Sequence, residues 1–397
     1  MLRISSSTYY QQAAAFIDQG QTQVSTLQTE LASGLGVQTA SDNPVAYGQI
    51  LGVNQAISDT AQWQSNASAL TSSLGTEDST LTDVGNSLQQ IQQLALQANN
   101  ATTNSSDRQS IAAEMQQQLN QIVQDANAQD GTGNYLFGGT ETSSAPFTQT
   151  ASGVSYGGNS DLRMLSLGPT SEIAASDPGD SVFMQTQSGN GTISVAAASG
   201  NTGNATVTSY QVTSPSQFTG GQYSVQFSGG NYQVLNSSNA VVASGAYTSG
   251  NAIQFAGVSL TITGTPADGD SFTVGPSSTQ SLFTTVQNLI TAVSSGATGA
   301  QGAQNQTALI DSMQALSTAQ NHISNVLAGV GSRQQAVTNA SSQLTARTTQ
   351  LQTTLSGLQD LDYAAATTQL AQSQTTLQAA EQSYVQIQGL SLFNYIK

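Results

Sequence analysis

The chain has 397 residues, enough for two or three domains, and 37% hydrophobic residues are adequate for packed cores. Charged residues make up 7%, and 22 acidic against six basic side chains give a net charge of −16. The basic residues are scattered singly and cysteine is absent, which argues against binding to nucleic acid or anionic membranes and excludes disulfide scaffolds and thiol catalysis.

The first 32 residues predict a helix with a coiled-coil seam. Ile17, Val24 and Leu31 are seven residues apart, with Leu27 between them. Gly20 and many Ser and Thr residues lower the helix propensity, so we expect this helix to need a partner. The N-terminus lacks the apolar core of a secretory signal peptide, and no segment has the ~20 apolar residues that span a bilayer. We expect a soluble chain exported by another route.

A long helix is predicted to start at the Ser41-Asp-Asn-Pro segment, with Asn43 as N-cap and Pro44 in the first helical position. Its later part carries a seam with alternating spacings of three and four: Leu81, Val84, Leu88 and Ile91. After a turn, Ser106 and Gln109 form a potential capping box for a second helix, which is predicted to run back antiparallel to the first.

Between residues 134 and 276 the apolar period changes to two, which predicts strands. Tyr223, Val225 and Phe227 alternate, a Gly-Gly turn follows, and Tyr232 and Val234 alternate again, as in a β-hairpin. A stretch rich in Gly, Ser, Asn and Ala at 190–205 suggests a loose connection between two β modules.

Helical spacing returns after the β region. Ser277 with Gln280 is a candidate helix start, and a second coiled-coil seam is formed by Val337, Leu344, Leu351, Leu355 and Leu358. The two seams, one near each end of the chain, can be buried by pairing the termini with each other or with neighbouring copies. This layout predicts a subunit made for assembly.

These patterns predict an α+β chain: an elongated helical bundle or coiled coil built from both chain ends, with β-rich modules inserted in the middle. We expect terminal assembly helices at 1–44 and 331–397, mobile in the monomer, and a helical bundle at 45–133 and 277–330. A first β module should occupy 134–190 and a second 191–276.

Groups that could carry chemistry are sparse. His322 is the only histidine, and no nucleophile elbow accompanies it, so a polar helix flank is the favoured interpretation. Asp268-Gly-Asp270 lacks the remaining ligands of a calcium loop, which favours a hairpin turn. The carboxylates of Glu77, Asp78 and Asp83 are expected on a solvated helix surface. We therefore expect no enzyme activity, no metal and no cofactor.

Three segments carry a resemblance to a known family. Residues 27–49, LQTELASGLGVQTASDNPVAYGQ, resemble the N-terminal signature of bacterial flagellins and of the hook-filament junction proteins. The Ser41-Asp-Asn-Pro stretch is more similar to the junction family's Ser-Asp-Asp-Pro pattern, with Asn43 as the departure. Residues 134–147 and the ending LSLFNYIK resemble the same family, hook-associated protein type 3 of the flagellin superfamily, while 218–276 look like a β module of larger hook-associated proteins.

The resemblance implies a structural subunit that joins the hook, through the type 1 hook-associated protein, to the flagellin filament. It implies self-association in a ring or tube layer and an extracellular place in the flagellum. It also implies that a flagellar export chaperone binds the chain. Candidates for chaperone binding are Leu370, Leu377, Tyr384 and Ile387. The alternatives are a major flagellin and, less favoured, a secreted adhesin with its ligand site on the β modules.

Overall fold

The computed structural model describes residues 6–100, 103–150, 153–295 and 298–393. The helices are α1 Ser6–Ser33, α2 Pro44–Ala98, α3 Ser105–Ala126, α4 Leu282–Ser294, α5 Gly299–Gln359 and α6 Tyr363–Phe393. Short helical turns lie at Leu136–Gly138 and Asp180–Met184. Helices from both ends of the sequence and strands in its middle confirm the predicted α+β class.

The strands all pair antiparallel. They are β1 Phe147–Thr150, β2 Gly153–Tyr156, β3 Met164–Ser166, β4 Glu172–Ala174, β5 Thr186–Gln187, β6 Ile193–Ala197, β7 Thr206–Val212, β8 Tyr223–Ser228, β9 Asn231–Asn236, β10 Val241–Ala246, β11 Ala252–Phe255, β12 Val258–Thr263, β13 Ser271–Pro276 and β14 Thr279–Gln280. A five-stranded sheet has the order β10-β9-β8-β13-β6, and a three-stranded sheet has the order β11-β12-β7.

The predicted hairpin is confirmed as β8 and β9, in which Phe227 lies opposite Tyr232. The loose connection expected at 190–205 is wrong in part, because β6 lies within it and pairs with β13. Ile193 and Val195 alternate toward the interior there, and their burial outweighs the turn-rich composition around them.

The predicted helix starts are confirmed in one case and wrong in two. Asn43 caps α2 by accepting a hydrogen bond from the Ala46 amide at 3.0 Å. The cap of α3 is Asn104, not Ser106, because the extended backbone of Asn104 lets its side chain accept the Asp107 N–H. Likewise Ser281 caps α4, since the earlier Ser277 is still bonded to Ser188 beside the β5–β14 pair.

Contacts divide the chain into two compact units, one up to Ser65 and from Ser341 on, the other Asn66–Ala340. The larger unit has two cores. The bundle core contains the predicted seam residues Leu81, Val84, Leu88 and Ile91, all fully buried, together with side chains of the first β region, residues 136–187. The second core lies between the five- and three-stranded sheets, which form the second β region, residues 193–276. The domain boundaries drawn from the sequence stay a prediction.

Four phenylalanines tie the first β region to the helices. The Phe183 ring lies 5.1 Å from that of Phe137, 5.3 Å from Phe147 and 5.8 Å from Phe283 of α4, measured between centroids. Gly179 is required beside them, because a Cβ there would lie 2.6 Å from the Phe147 ring. The first β region therefore shares its core with the bundle.

The second β region is fastened to α5 through Asp311. One carboxylate oxygen of Asp311 accepts the Val195 amide of β6 at 2.9 Å and the Tyr210 hydroxyl of β7 at 2.7 Å. Burial raises the pKa of both Asp311 and Tyr210. The bond from Val195 satisfies an N–H on the outer edge of β6, which is an edge strand of its sheet.

We expect Phe183→Ala to lower the free energy of unfolding by about 3–5 kcal/mol, because it leaves a cavity among three other rings. Thermal or urea unfolding of the purified chain measures this change. Leu162→Ala is the matched control, since that side chain is 50% exposed, and its change should be below ~0.5 kcal/mol. Similar losses in both variants would contradict the shared core.

Candidate assembly surface

Helices α1 and α6 form an antiparallel pair. Their facing residues recur at alternating spacings of three and four, and all are buried or half-buried. On α1 they are Tyr10, Ala13, Ile17, Gly20, Val24, Leu27 and Leu31; on α6 they are Ala366, Leu370, Ser373, Leu377, Ala380 and Tyr384. This is the heptad spacing of a coiled coil.

The seam alternates large and small side chains across the pair. The Cδ1 atom of Leu377 would lie 3.1 Å from a Cβ at Gly20, so the leucine fills the space that the glycine leaves. The Tyr10 and Tyr384 rings meet edge to face at 6.2 Å. Leu377 and Tyr384, two of the chaperone-binding candidates, thus contact α1 in this structure, and Leu370 is half-buried on the same face. The side chain of Ile387 lies outside the described residues.

An open groove of about 520 Å³ follows the α1–α6 pair. Its lining includes Tyr9, which is 49% exposed, and Phe16, which is 70% exposed. The other lining side chains are small, apolar or amide- and hydroxyl-bearing, and none is acidic or basic. Large exposed rings beside an uncharged groove are typical of a surface that another protein covers.

The seam predicted at 337–358 is divided. Val337 is buried in the bundle core, Leu344 is also buried, and Leu351, Leu355 and Leu358 are half-buried. C-terminal to Val337, α5 contacts α2. The Arg347 guanidinium carbon lies 5.4 Å from the centroid of the Trp63 ring, and the Gln64 side-chain amide donates a hydrogen bond to the Thr348 hydroxyl.

The two termini therefore pair with each other, but the helix that lies along α1 is α6. Three residues of this α6 face, Leu370, Leu377 and Tyr384, were predicted as a chaperone-binding face, but their pairing with α1 was not, because the seam positions between them are Ala or Ser. The repeat from Ala366 through Ser373 to Ala380, seven residues apart, is the signal that could have found it.

A buried ionic cluster corrects one prediction. Glu77 is fully buried, so its expected place on a solvated surface is wrong. Its Oε1 atom accepts the Asp177 amide at 2.8 Å, and its Oε2 lies 3.8 Å from Nη2 of Arg333, which also pairs with Asp177. Burial, with the nearby Asp177 charge, raises the pKa of Glu77 to about 8.

The remaining candidates for chemistry have structural partners. The His322 ring bonds the Ser181 carbonyl at 2.9 Å. Asp270 is buried and accepts hydrogen bonds from the backbone amides of Thr202, Gly203 and Ala267. Asp268 accepts one from the Gly229 amide, so both carboxylates hold backbone turns.

Among the described residues, no three His, Cys, Asp or Glu side chains converge as a metal site would need. No helix in the described ranges has the length and apolar content to cross a membrane.

Three family models match the chain. The bacterial flagellin N-terminal helical region matches residues 4–142, and the flagellin C-terminal helical region matches 313–396. The D2-like domain of flagellar hook-associated protein 1 matches 196–276, which covers nearly all of the second β region. Flagellin-type helical regions at both ends define the class of the chain as a flagellin-like protein.

Relatives narrow the class. FlgL of Xanthomonas campestris is 32% identical, with a TM-score of 0.73 over 77% of this chain and 99% of that one. The flagellar junction protein FlgL of Legionella pneumophila is 31% identical, with a TM-score of 0.68 over 73% of this chain and 99% of that one. The chain belongs to the flagellar hook-associated protein 3 (FlgL) family.

Among curated relatives, the match to flagellar hook-associated protein 3 of Salmonella typhimurium is 31% identical over 41% of this chain and 50% of that protein. The chain thus spans about half the length of that relative. Flagellins match over a shorter stretch, 27% of this chain at 31% identity.

We expect Glu77→Gln to remove a pH dependence of stability. Because the folded pKa is raised from 4.5 to about 8, the neutral acid favours folding fully below the unfolded pKa, and this contribution is lost as pH rises through 8. The melting temperature of the wild type should therefore fall relative to Glu77→Gln between pH 5 and pH 9, as measured by calorimetry.

The control for this measurement is Glu114→Gln, the same substitution at an exposed position on α3. Its melting temperature should follow that of the wild type across the same pH range. A constant difference between the wild type and Glu77→Gln at every pH would contradict the buried, protonated state.

Proposed function

We propose that the chain is a structural subunit of the bacterial flagellum that joins the hook to the flagellin filament. The observation that carries this proposal is the paired α1 and α6 helices with their open, uncharged groove, in a chain of the FlgL family. A junction has to be covered on two sides by neighbouring subunits, and exposed Phe16 and Tyr9 beside a groove suit that requirement.

The proposed partners are the type 1 hook-associated protein on one side, flagellin on the other, and further copies of this chain in a ring or tube layer. The match of residues 196–276 to a D2-like domain of hook-associated protein 1 supports a module of the kind found in that protein. The predicted positions Ile17, Val24, Leu27 and Leu31 hold α1 against α6, and the groove along this pair is the assembly surface. Since the groove carries no charge, its association should depend little on salt.

The second proposed role of α6 is to bind an export chaperone before assembly. Leu370, Leu377 and Tyr384 are half-buried against α1 here, so a chaperone would take the place of α1 on that face. Covering an apolar seam during export prevents premature association. In this role the chain lies outside the cell, in the flagellum, and has no catalytic part.

Two alternatives make different predictions. A major flagellin would extend filaments by itself, and the shorter flagellin match weighs against it. An adhesin would bind a ligand through the β regions, whose outer face carries amide and hydroxyl groups around Gln226, Gln233 and Ser244. Neither alternative explains why this chain matches solved FlgL chains, one of them a flagellar junction protein, over nearly their whole length.

The experiment is seeded growth followed by electron microscopy. Purified full-length chain is added to flagellin filament fragments and, separately, to hooks that carry the type 1 protein. A junction subunit should leave the fragments unextended, bind the hook ends and permit growth when flagellin is then added. Filaments made of this chain alone would establish a flagellin, and glycan binding without hook binding would establish an adhesin.

We expect Phe16→Ser to weaken binding to hook ends by about 10- to 100-fold, because a buried phenylalanine contributes about 1.5–3 kcal/mol. The concentration that half-saturates the ends measures the effect. Leu162→Ser is the control, since Leu162 is also exposed but lies on the first β region. Unchanged binding of Phe16→Ser would remove the groove from the interface.

We expect the double variant Leu370→Ser, Leu377→Ser to lose chaperone binding in calorimetric titration, because it removes two leucines from the proposed binding face. Val24→Ser is the matched control. It weakens the same helix pair from the α1 side but leaves α6 intact, so its chaperone affinity should be equal to or above that of the wild type. An equal loss in both variants would show that the chaperone binds the pair and not α6.

A further inference from the structure

Two breaks between helices lie in the same unit. Residues 34–43 separate α1 from α2, and residues 360–362 separate α5 from α6. The two segments meet antiparallel, with Leu35 opposite Asp360. The Gly36 N–H donates to the Gln359 carbonyl at 2.7 Å, and the Leu361 N–H donates to the Gly34 carbonyl at 3.0 Å. Each break thus supplies the main-chain partner that the other lacks.

Gly34 makes this close approach possible. Its φ of +76° lies in the left-handed region, and a Cβ there would lie 2.7 Å from the Tyr363 hydroxyl oxygen. Gly36 differs, because the nearest atoms to its Cβ position are at 3.7 Å, an ordinary contact distance. A side chain at Gly34 would strain this left-handed backbone and displace the Tyr363 hydroxyl.

Each break is also held from within by an aspartate. The Asp42 carboxylate accepts the Thr39 and Gln38 amides at 2.8 and 3.0 Å, and these bonds lower its pKa. The Asp362 carboxylate accepts the Ala364 and Ala365 amides and so caps the start of α6. Both turns therefore have side-chain hydrogen bonds to the backbone within a few residues of the point where they meet.

We infer that the two breaks act as one joint, through which α1 and α6 change direction only together. Opening either turn removes the hydrogen bonds of both, and the seam from Gly20 and Leu377 to Tyr10 and Tyr384 keeps the two helices side by side beyond it. The joint does not depend on which partner covers the helix pair.

A designed disulfide tests whether the joint forms. The sequence has no cysteine, so Leu35→Cys with Asp360→Cys has no competing thiol. Residues opposite each other in an antiparallel bridge have Cα atoms about 4.5–5.5 Å apart, within the range of a disulfide. Full-length chain with this pair should oxidise to an intramolecular disulfide, detected by mass. Leu35→Cys with Thr353→Cys, about 10 Å further along α5, should stay reduced, and equal oxidation of the two pairs would overturn the inference.

Hydrogen exchange at single-residue resolution tests whether the helices are coupled. Gly34→Ala should raise the exchange of the Gly36 and Leu361 amides, and of both α1 and α6, by about tenfold or more. Gly36→Ala should leave them at the wild-type rate, and the amides of α3 and α4 report whether the fold is intact. Faster exchange in α1 alone would overturn the coupling.

A rescue separates the joint from the seam. When Gly34→Ala is combined with Leu35→Cys and Asp360→Cys, oxidation should restore the wild-type exchange of both α1 and α6, and reduction should raise it again. If oxidation restores neither helix, the effect of Gly34→Ala passes through the seam and the inference fails.

Discussion

The structure depends on burying narrow apolar stripes of long helices in a chain that has few charges to place. With charged residues at 7%, ion pairs cannot specify which helix packs on which. Specificity comes from the heptad spacing, from small residues that accept large ones, as Gly20 accepts Leu377, and from side-chain hydrogen bonds to the backbone. The few ion pairs are used where a loop must be fixed to the bundle, as Arg333 fixes Asp177 beside Glu77.

The parts of the fold that follow from local periodicity could be predicted. Leu81, Val84, Leu88 and Ile91 are all fully buried, because spacings of three and four place them on one face whatever that face meets. The β8–β9 hairpin was predictable for the same reason, since alternation and a Gly-Gly turn are both local. Asn43 and Pro44 likewise mark a helix start through the geometry of adjacent residues.

The parts that depend on distant residues could not be predicted. Glu77 is an ordinary helical carboxylate in the sequence, and only the fold brings Asp177 and Arg333 beside it. Ser277 and Ser281 have equal capping ability, and the β5–β14 pair decides between them. On the candidate surface, the α1 stripe and the Leu370, Leu377 and Tyr384 face of α6 were visible in the sequence, but their pairing was not, because Ala and Ser become interface residues only when a close neighbour is present.

The contact between Trp63 and Arg347 has a practical consequence. Trp63 is the only tryptophan in the sequence, and a cation lies over its ring where α2 and α5 meet. Its emission therefore reports on one helix contact alone, without an attached dye. Separation of α2 from α5 would move the indole into water and shift its emission to longer wavelength, so the chain has a built-in optical probe of that contact during assembly.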